Sequence, residues 1–425
     1  MASSLREQPI DKEYMEQNEE HRAICQGAQR ASPYAWKALM GSTAGYAVDG
    51  FDLLILSFML PAIAATLQLA PAQAGALVSA TLVGAVAGGI IFGVLSDRFG
   101  RVRVLSWTIM LFAVFTGLCA FAQGFYDLLV YRTVAGIGLG GEFGIGMALA
   151  AEAWPPKYRA RATSYVGMGW QLGVLMAALL TPALLPHVGW RGMFLLGIVP
   201  ALLAWILRKR LHEPELFLRA KSSRPANAFK PLVANARALR TTLGIVVLCS
   251  VQNFGYYGIM IWMPAYLEKT LGFGLTKSSL WTAVTVLGMI FGIGLFGHLA
   301  DRVGRKPAFL LFQAGAAVMV AVYSQLSDPS LMLWAGALLG VCVNGMIGGY
   351  GALIAEAYPT AARATAQNVL FNIGRAVGSL GPVVVGAVST KYSFSAAIAL
   401  LAGFYLLDMV ATIFLVPELV GEELR

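Results

Sequence analysis

The sequence predicts an all-α integral membrane protein with twelve transmembrane helices, arranged as two six-helix bundles that are parallel repeats of one another. Three observations predict it. The chain is poor in charge, it holds twelve apolar runs each long enough to cross a bilayer, and two unrelated strings recur at one shared offset.

The 425 residues are 58% hydrophobic and 12% charged, with a mean hydropathy of +0.68. Soluble domains carry about 25% charged residues. With half the usual charge missing, the surface would be too apolar for water, and lipid is the expected solvent. The first 35 residues are polar and mixed in charge, without an apolar core followed by a small-residue cleavage site. They are expected to form a cytoplasmic N-terminal tail (1–35) rather than a cleaved signal peptide. Cys25, Cys119, Cys249 and Cys342 are scattered, and their spacing offers neither a metal site nor a disulfide framework.

A spanning helix needs roughly 20 apolar residues. Such runs occur near 36–66, 74–96, 104–123, 126–153, 162–184 and 189–208, then near 240–267, 277–298, 306–326, 330–355, 365–389 and 393–416. This divides the chain into an N-terminal bundle (36–208), a central loop (209–239), a C-terminal bundle (240–416) and a short tail (417–425). Orientation follows from basic residues in the connections. The loops after even spans and the central loop carry Arg98, Arg101, Arg103, Lys157, Arg159, Arg161, Arg208, Lys209, Arg210, Arg219, Lys221, Arg224, Lys230, Arg302, Arg305, Lys306 and Arg363. The opposite side offers little beyond Arg191, Lys269, Lys277 and Lys391. The basic side is therefore expected to be cytoplasmic, with both termini inside. The formal net charge of +9 then marks topology and not nucleic-acid binding.

The string GVLSDRFGRVR begins at Gly93 and GHLADRVGRKP at Gly297; EAWPPKYRA begins at Glu152 and EAYPTAARA at Glu356. Both offsets are 204 residues (297 − 93 and 356 − 152). Two strings at one offset mark a duplicated six-helix unit. An even number of spans per unit gives the copies the same orientation.

These strings resemble signatures of the major facilitator superfamily. The pattern G-x-L-x-D-R-x-G-R matches at Gly93, Leu95, Asp97, Arg98, Gly100 and Arg101, and again at Gly297, Leu299, Asp301, Arg302, Gly304 and Arg305. The pattern E-x-x-P-x-x-x-R matches at Glu152, Pro155 and Arg159, and again at Glu356, Pro359 and Arg363. Within the superfamily, DGFD at Asp49–Asp52 is similar to the first-helix motif of aromatic acid:proton symporters. GGEFG from Gly140, EAWPPKYRARAT and GWRGMF resemble the sialate and lactate:proton symporters, and Arg132 ahead of GIGLGG resembles the fourth helix of proton-coupled sugar porters. The resemblance implies alternating access and a gating role for Asp97, Arg98, Arg101, Asp301, Arg302, Arg305, Glu152, Arg159, Glu356 and Arg363. As exposed loop pairs, these charges are worth only about 0–1 kcal/mol each, and several together bias a two-state equilibrium.

Ionisable groups inside the spans carry the sharper signal. Asp49 and Asp52 lie in span 1, Arg132 and Glu142 in span 4, Arg375 in span 11 and Asp408 in span 12. Each costs about 2.5–3.5 kcal/mol at a helix centre, so they are expected to face one another or water and to mark a substrate or proton pathway. Counting along the helices places Asp49, Glu142 and Arg375 near the midplane. Asp52 and Arg132 are expected to pair between spans 1 and 4, as the matching acid and arginine do in sugar porters, with the acid carrying the proton. Glu142 is a second proton candidate or a partner for Arg375, and Asp408 has no assigned role.

Guanidinium grips carboxylate through two parallel hydrogen bonds, so Arg375 suits an anionic substrate. Gln171, Gln252, Asn253, Asn344 and Asn372 lie at similar depth, with Trp170, Tyr256 and Tyr257 as flanking aromatics; Gln171 and Arg375 are also repeat equivalents. GIGLGG from Gly136 fits a dinucleotide fingerprint but lies in a spanning run without the required strand. The four histidines show no ligand spacing, and no Walker motif or enzyme nucleophile motif is present. The expectation is a proton-coupled importer of a small organic acid anion, working as a monomer in the inner membrane without cofactor. A sugar or neutral-solute symporter and a drug:proton antiporter stay open, the latter because GSLGP occurs in span 11.

Overall fold

In a computed structural model the described residues are 31–209, 211–219, 228–271, 275–326 and 328–419, with the side chains of 71–72, 262–271, 275–279 and 329 excepted. The tail to residue 30 with Cys25, the loop charges Arg210, Lys221 and Arg224, and the side chains of Lys269 and Lys277 lie outside them.

Fifteen helices are described in chain order. They are α1 Pro33–Leu67, α2 Pro71–Phe99, α3 Arg101–Cys119, α4 Phe125–Gly140, α5 Glu142–Ala153, α6 Arg159–Lys209, α7 Glu215–Arg219, α8 Ala236–Leu271, α9 Leu275–Val303, α10 Arg305–Tyr323, α11 Pro329–Gly345, α12 Ile347–Ala357, α13 Arg363–Gly378, α14 Gly381–Lys391 and α15 Phe394–Leu415. Among the described residues, eleven helical stretches are long and apolar enough to cross a membrane. One of them contains α6, whose 51 residues would run about 75 Å, more than twice a hydrocarbon core of about 30 Å. It turns at Gly189 (φ 63, ψ 176). Both its ends return to one side, Arg159 against Ala151 and Arg208 against Leu105. Counting α6 as two crossings gives twelve.

Spans 4 and 10 break within one residue of equivalent places, at Gly141 and Met346. Span 11 breaks at Ser379–Leu380, within GSLGP, where Pro382 offers no N–H to continue the ladder. Gly100 (φ 119) and Gly304 (φ 113) make the sharp turns from α2 to α3 and from α9 to α10. A side chain is disfavoured at such a φ, which explains the second glycine of each loop motif.

Within the halves α1 packs on α6, α2 on α4, α9 on α11 and α10 on α15; across them α2 meets α13 and α6 meets α9. Large apolar side chains such as Val83, Phe291, Val318 and Leu338 remain outward and exposed, as a lipid-facing belt requires. Two expectations are corrected. Arg208 is not a loop charge, because it lies inside the N-terminal bundle with no exposed surface. The loop-motif pairs are not exposed either: Asp97, Arg101, Glu152, Arg159, Arg305, Glu356 and Arg363 are all buried, because the two halves close over them.

Candidate functional site

A narrow cavity of about 10 Å³, closed down to the room one water needs, lies between the halves, lined by Tyr46 of α1, Trp170 and Gln171 of α6, residues 252, 253, 256 and 257 of α8, Asn344 and Ile347 of span 10, and Phe371 and Arg375 of α13. Gln171, Gln252, Asn253, Tyr256, Asn344 and Arg375 are thus brought together. Asn372 is not among the lining residues: its Nδ2 donates to Asn368 O at 2.9 Å, and its side chain packs toward Gly89.

Arg375 makes no ion pair among the described residues, and its Nε has no hydrogen-bond partner. Its guanidinium lies over the Trp170 and Phe371 rings, 5.5 Å and 5.2 Å from their centroids. Phe371 is held by stacking on Phe143 at 3.7 Å, and Trp170 Nε1 donates to Tyr256 Oη at 3.4 Å across the halves. Gln252 Nε2 donates to Asn344 Oδ1 at 2.7 Å. Gln252 Oε1, Asn344 Nδ2 and both amide atoms of Gln171 are left without partners. Such groups carry a desolvation cost unless something meets them. The wall therefore offers one cation, aromatic faces, and spare donors and acceptors.

The N-terminal bundle gathers three acids. Asp52 is gripped by Arg132 through both oxygens (3.0 and 2.6 Å), as expected, and Arg132 Nε also donates to Thr81 Oγ1. Glu142 is not paired with Arg375. Arg208 takes it instead through both oxygens (3.0 and 2.5 Å), and Thr108 Oγ1 donates to it at 2.7 Å. A Cβ at Gly45 would overlap this pair, which is why α1 presents a glycine there. Asp49 has no salt bridge, and its Oδ1 has no hydrogen-bond partner. It shares a small void with Glu142 and lies within electrostatic reach of Arg375 and Arg208. Asp408 is remote from the cavity lining, in the C-terminal bundle, where Gln313 Nε2 donates to it at 2.8 Å.

On the basic side the loop-motif charges form a two-fold network. Asp97 pairs with Arg101 (2.7 Å), Arg101 with Glu152 (3.0 Å), and Glu152 crosses to Arg363 of the other half (2.9 Å). The equivalent arm runs from Asp301 to Arg305 (3.1 Å) to Glu356 (2.7 Å) and across to Arg159 (3.0 Å). Asp97 also accepts from the backbone N–H groups of Ala364 and Thr365, the first turn of α13, and Asp301 accepts from Ala160 and Arg161, the first turn of α6. A carboxylate at a helix N-terminus meets free donors and the positive end of the dipole. Removing one partner of a buried pair costs about 3–5 kcal/mol, well above the surface value. Arg98 and Arg302 are exposed.

Several participants have no sequence signature. Glu213 accepts from the N–H groups of Arg101, Val102 and Arg103, capping α3, and Glu418 does the same for α10 through Arg305 and Lys306. Glu213 stands two residues from Glu215, Glu418 lies in the run LVPELV, and neither belongs to the strings that repeat at 204 residues. Arg208 was hidden by standing beside Lys209 and Arg210 at a span end.

Two six-helix halves, closed on one side over a buried polar cavity, define a multi-pass membrane transporter and not an enzyme. A family model described as the Major Facilitator Superfamily matches residues 43–293 and again 274–424, so the chain belongs to that superfamily. It is 67% identical over 403 residues to a Haemophilus influenzae protein named for metabolite transport, covering 93% of this chain and 99% of that one. It is 30% identical over 395 residues to the cis,cis-muconate transport protein of Acinetobacter baylyi, covering 91% and 96%. Among solved structures, the proton:xylose symporter XylE matches with a TM-score of 0.78 at 18% identity, covering 93% of this chain and 98% of that one, a likeness of fold.

Proposed function

We propose that this protein is a proton-coupled symporter that takes up a small organic acid anion by alternating access. The observation that carries the reading is Arg375, a buried guanidinium without a carboxylate partner among the described residues, set in a cavity where Gln171 and one amide atom each of Gln252 and Asn344 lack partners. A substrate carboxylate supplies the missing acceptor. The relatives named for muconate, 4-methylmuconolactone and 4-hydroxybenzoate transport support the same class.

Proton coupling rests on the acids of α1 and α5. Asp52 and Glu142 each hold an arginine with both oxygens, so protonating either breaks an ion pair. Asp49 takes a proton without losing one. It is the entry point for the proton, with Asp52–Arg132 and Glu142–Arg208 as pairs that rearrange with it. The buried network between Asp97, Arg101, Glu152, Arg159, Asp301, Arg305, Glu356 and Arg363 is the gate, closed here.

The basic side is cytoplasmic, both termini lie inside, and the membrane is the inner membrane. The halves comprise residues 36–208 and 240–416, joined by 209–239. One chain supplies the whole cavity, so a monomer suffices. The test is a panel of mono- and dicarboxylates and neutral sugars, scored for thermal stabilisation of the purified protein and then for uptake driven by an imposed pH gradient. Stabilisation by a neutral sugar with no response to any carboxylate would refute the anion reading. Counterflow of protons with a cationic drug would favour an antiporter.

A further inference from the structure

The N-terminal half shows how this scaffold buries an ionised carboxylate: Glu142 receives Arg208. Asp408 on α15 is buried without any such partner. It has no exposed surface, and no ion pair among the described residues includes it. Its one described hydrogen bond comes from Gln313 Nε2 of α10 to Oδ2, the same nitrogen also reaching Thr412 Oγ1 at 2.7 Å. Oδ1 has no partner, nor do Gln313 Oε1 and Tyr405 Oη. Thr412 is the 204-residue equivalent of Arg208, and Met346 of Glu142. Where the N-terminal half places its cation, the C-terminal half has a hydroxyl.

The remaining titratable neighbours are neutral in their ordinary forms: Cys249 of α8, Tyr350 of α12 and Tyr405 of α15 itself. From α10, Lys306 bonds Ile413 O, and from α8, Arg240 bonds Phe414 O, both more than a turn beyond Asp408. From α14, Lys391 stays at the opposite end of α15, beside Tyr392.

We propose that Asp408 is a proton-binding site of the C-terminal half, separate from the acids of α1 and α5, and that it holds its proton in this closed conformation. A proton from water bonds to Oδ1 and converts the carboxylate to a neutral acid, while Oδ2 keeps the bond from Gln313. The neutral form needs hydrogen bonds only; the charged form would need a counter-ion that this pocket lacks. The site is tied to the cavity wall. Cys249 stands one turn before Gln252 on α8, and Tyr350 Oη donates to Leu248 O of the same turn at 3.0 Å. A charge appearing at Asp408 would therefore press on the helix that carries Gln252 and Asn253.

The experiment is infrared spectroscopy of the full chain in lipid vesicles, wild type against Asp408→Asn, titrated with acid and base. At neutral pH the wild type should show one protonated-carboxyl stretch that the Asn variant lacks, and alkali should abolish it in a single step. Thermal unfolding in detergent gives a second readout. The unfolded acid has shed its proton above pH of about 4 while the folded one has not, so wild-type stability falls as pH rises. The loss is about tenfold in the unfolding equilibrium per pH unit relative to Asp408→Asn, until the folded site ionises. No missing band, or parallel stability curves, would overturn the proposal. Should the Asn variant not fold, Asp408→Glu keeps the acid and must shift the band; an unshifted band is equally fatal.

Discussion

Gln171 and Arg375 occupy equivalent positions in the two halves and line the same cavity, one neutral and one charged. They are the one pair among the eleven lining residues that the 204-residue offset relates, and the difference between them puts the charge on the C-terminal half. A carboxylate entering the chamber has one end to bind by charge and another to bind by amide hydrogen bonds.

Arg375→Lys keeps the charge and removes the planar two-point grip. A hydrogen bond to a charged group is worth about 1.5–3 kcal/mol, so carboxylate binding should weaken by roughly 10- to 150-fold, and more in Arg375→Ala. The amide analogue of the same substrate should bind wild type poorly and lose little further in the Ala variant. Isothermal titration of acid and amide against the three proteins checks this. Equal losses for both ligands would make the arginine structural.

Asp49→Asn and Asp52→Asn should separate. Each is expected to abolish pH-driven accumulation in proteoliposomes while exchange of labelled for unlabelled substrate survives, because exchange moves no net proton. Only Asp52→Asn should also destabilise the protein, by about 3–5 kcal/mol, since it strands Arg132 in the bundle. Normal accumulation by Asp49→Asn would remove that residue from the coupling.

The gate is tested with a cysteine at Ala364, buried where the halves meet, after the native cysteines are replaced. Arg363→Ala deletes one cross-half pair, and a loss of about 3–5 kcal/mol shifts the closed-to-open ratio by 100-fold or more. Thiol labelling from the basic side should accelerate accordingly, and further with Arg159→Ala added. An unchanged rate would show that the network does not hold the gate.

Orientation is read with Glu215→Cys, an exposed position on α7. In intact cells it should react with membrane-permeant thiol reagents and resist impermeant ones. Labelling by the impermeant reagent would invert the topology.

The sequence made the architecture legible because lipid imposes a blunt rule: a charge inside an apolar run must be answered. That rule found Asp52 and Arg132, whose pairing the structure shows, and it brought Arg375 to the cavity. It failed at Arg208, where a buried arginine at the end of a span reads the same as one reaching for water. It also failed to separate Asn372 from Asn344, because depth is countable along a helix while the facing direction depends on neighbours. Residues such as Glu213 and Glu418 act on distant backbone N–H groups, and no pattern in their own vicinity records that partnership.

Because the two arms of the cross-half network are copies, Glu152–Arg363 and Arg159–Glu356 do the same work at once. A substitution that disables one arm leaves the other, so the mutational landscape here should be strongly epistatic. Single losses should loosen the closed state without abolishing it, whereas double losses are severe. Drift can then erode either arm alone, and a relative that retains one intact arm would keep one link between its halves on the basic side.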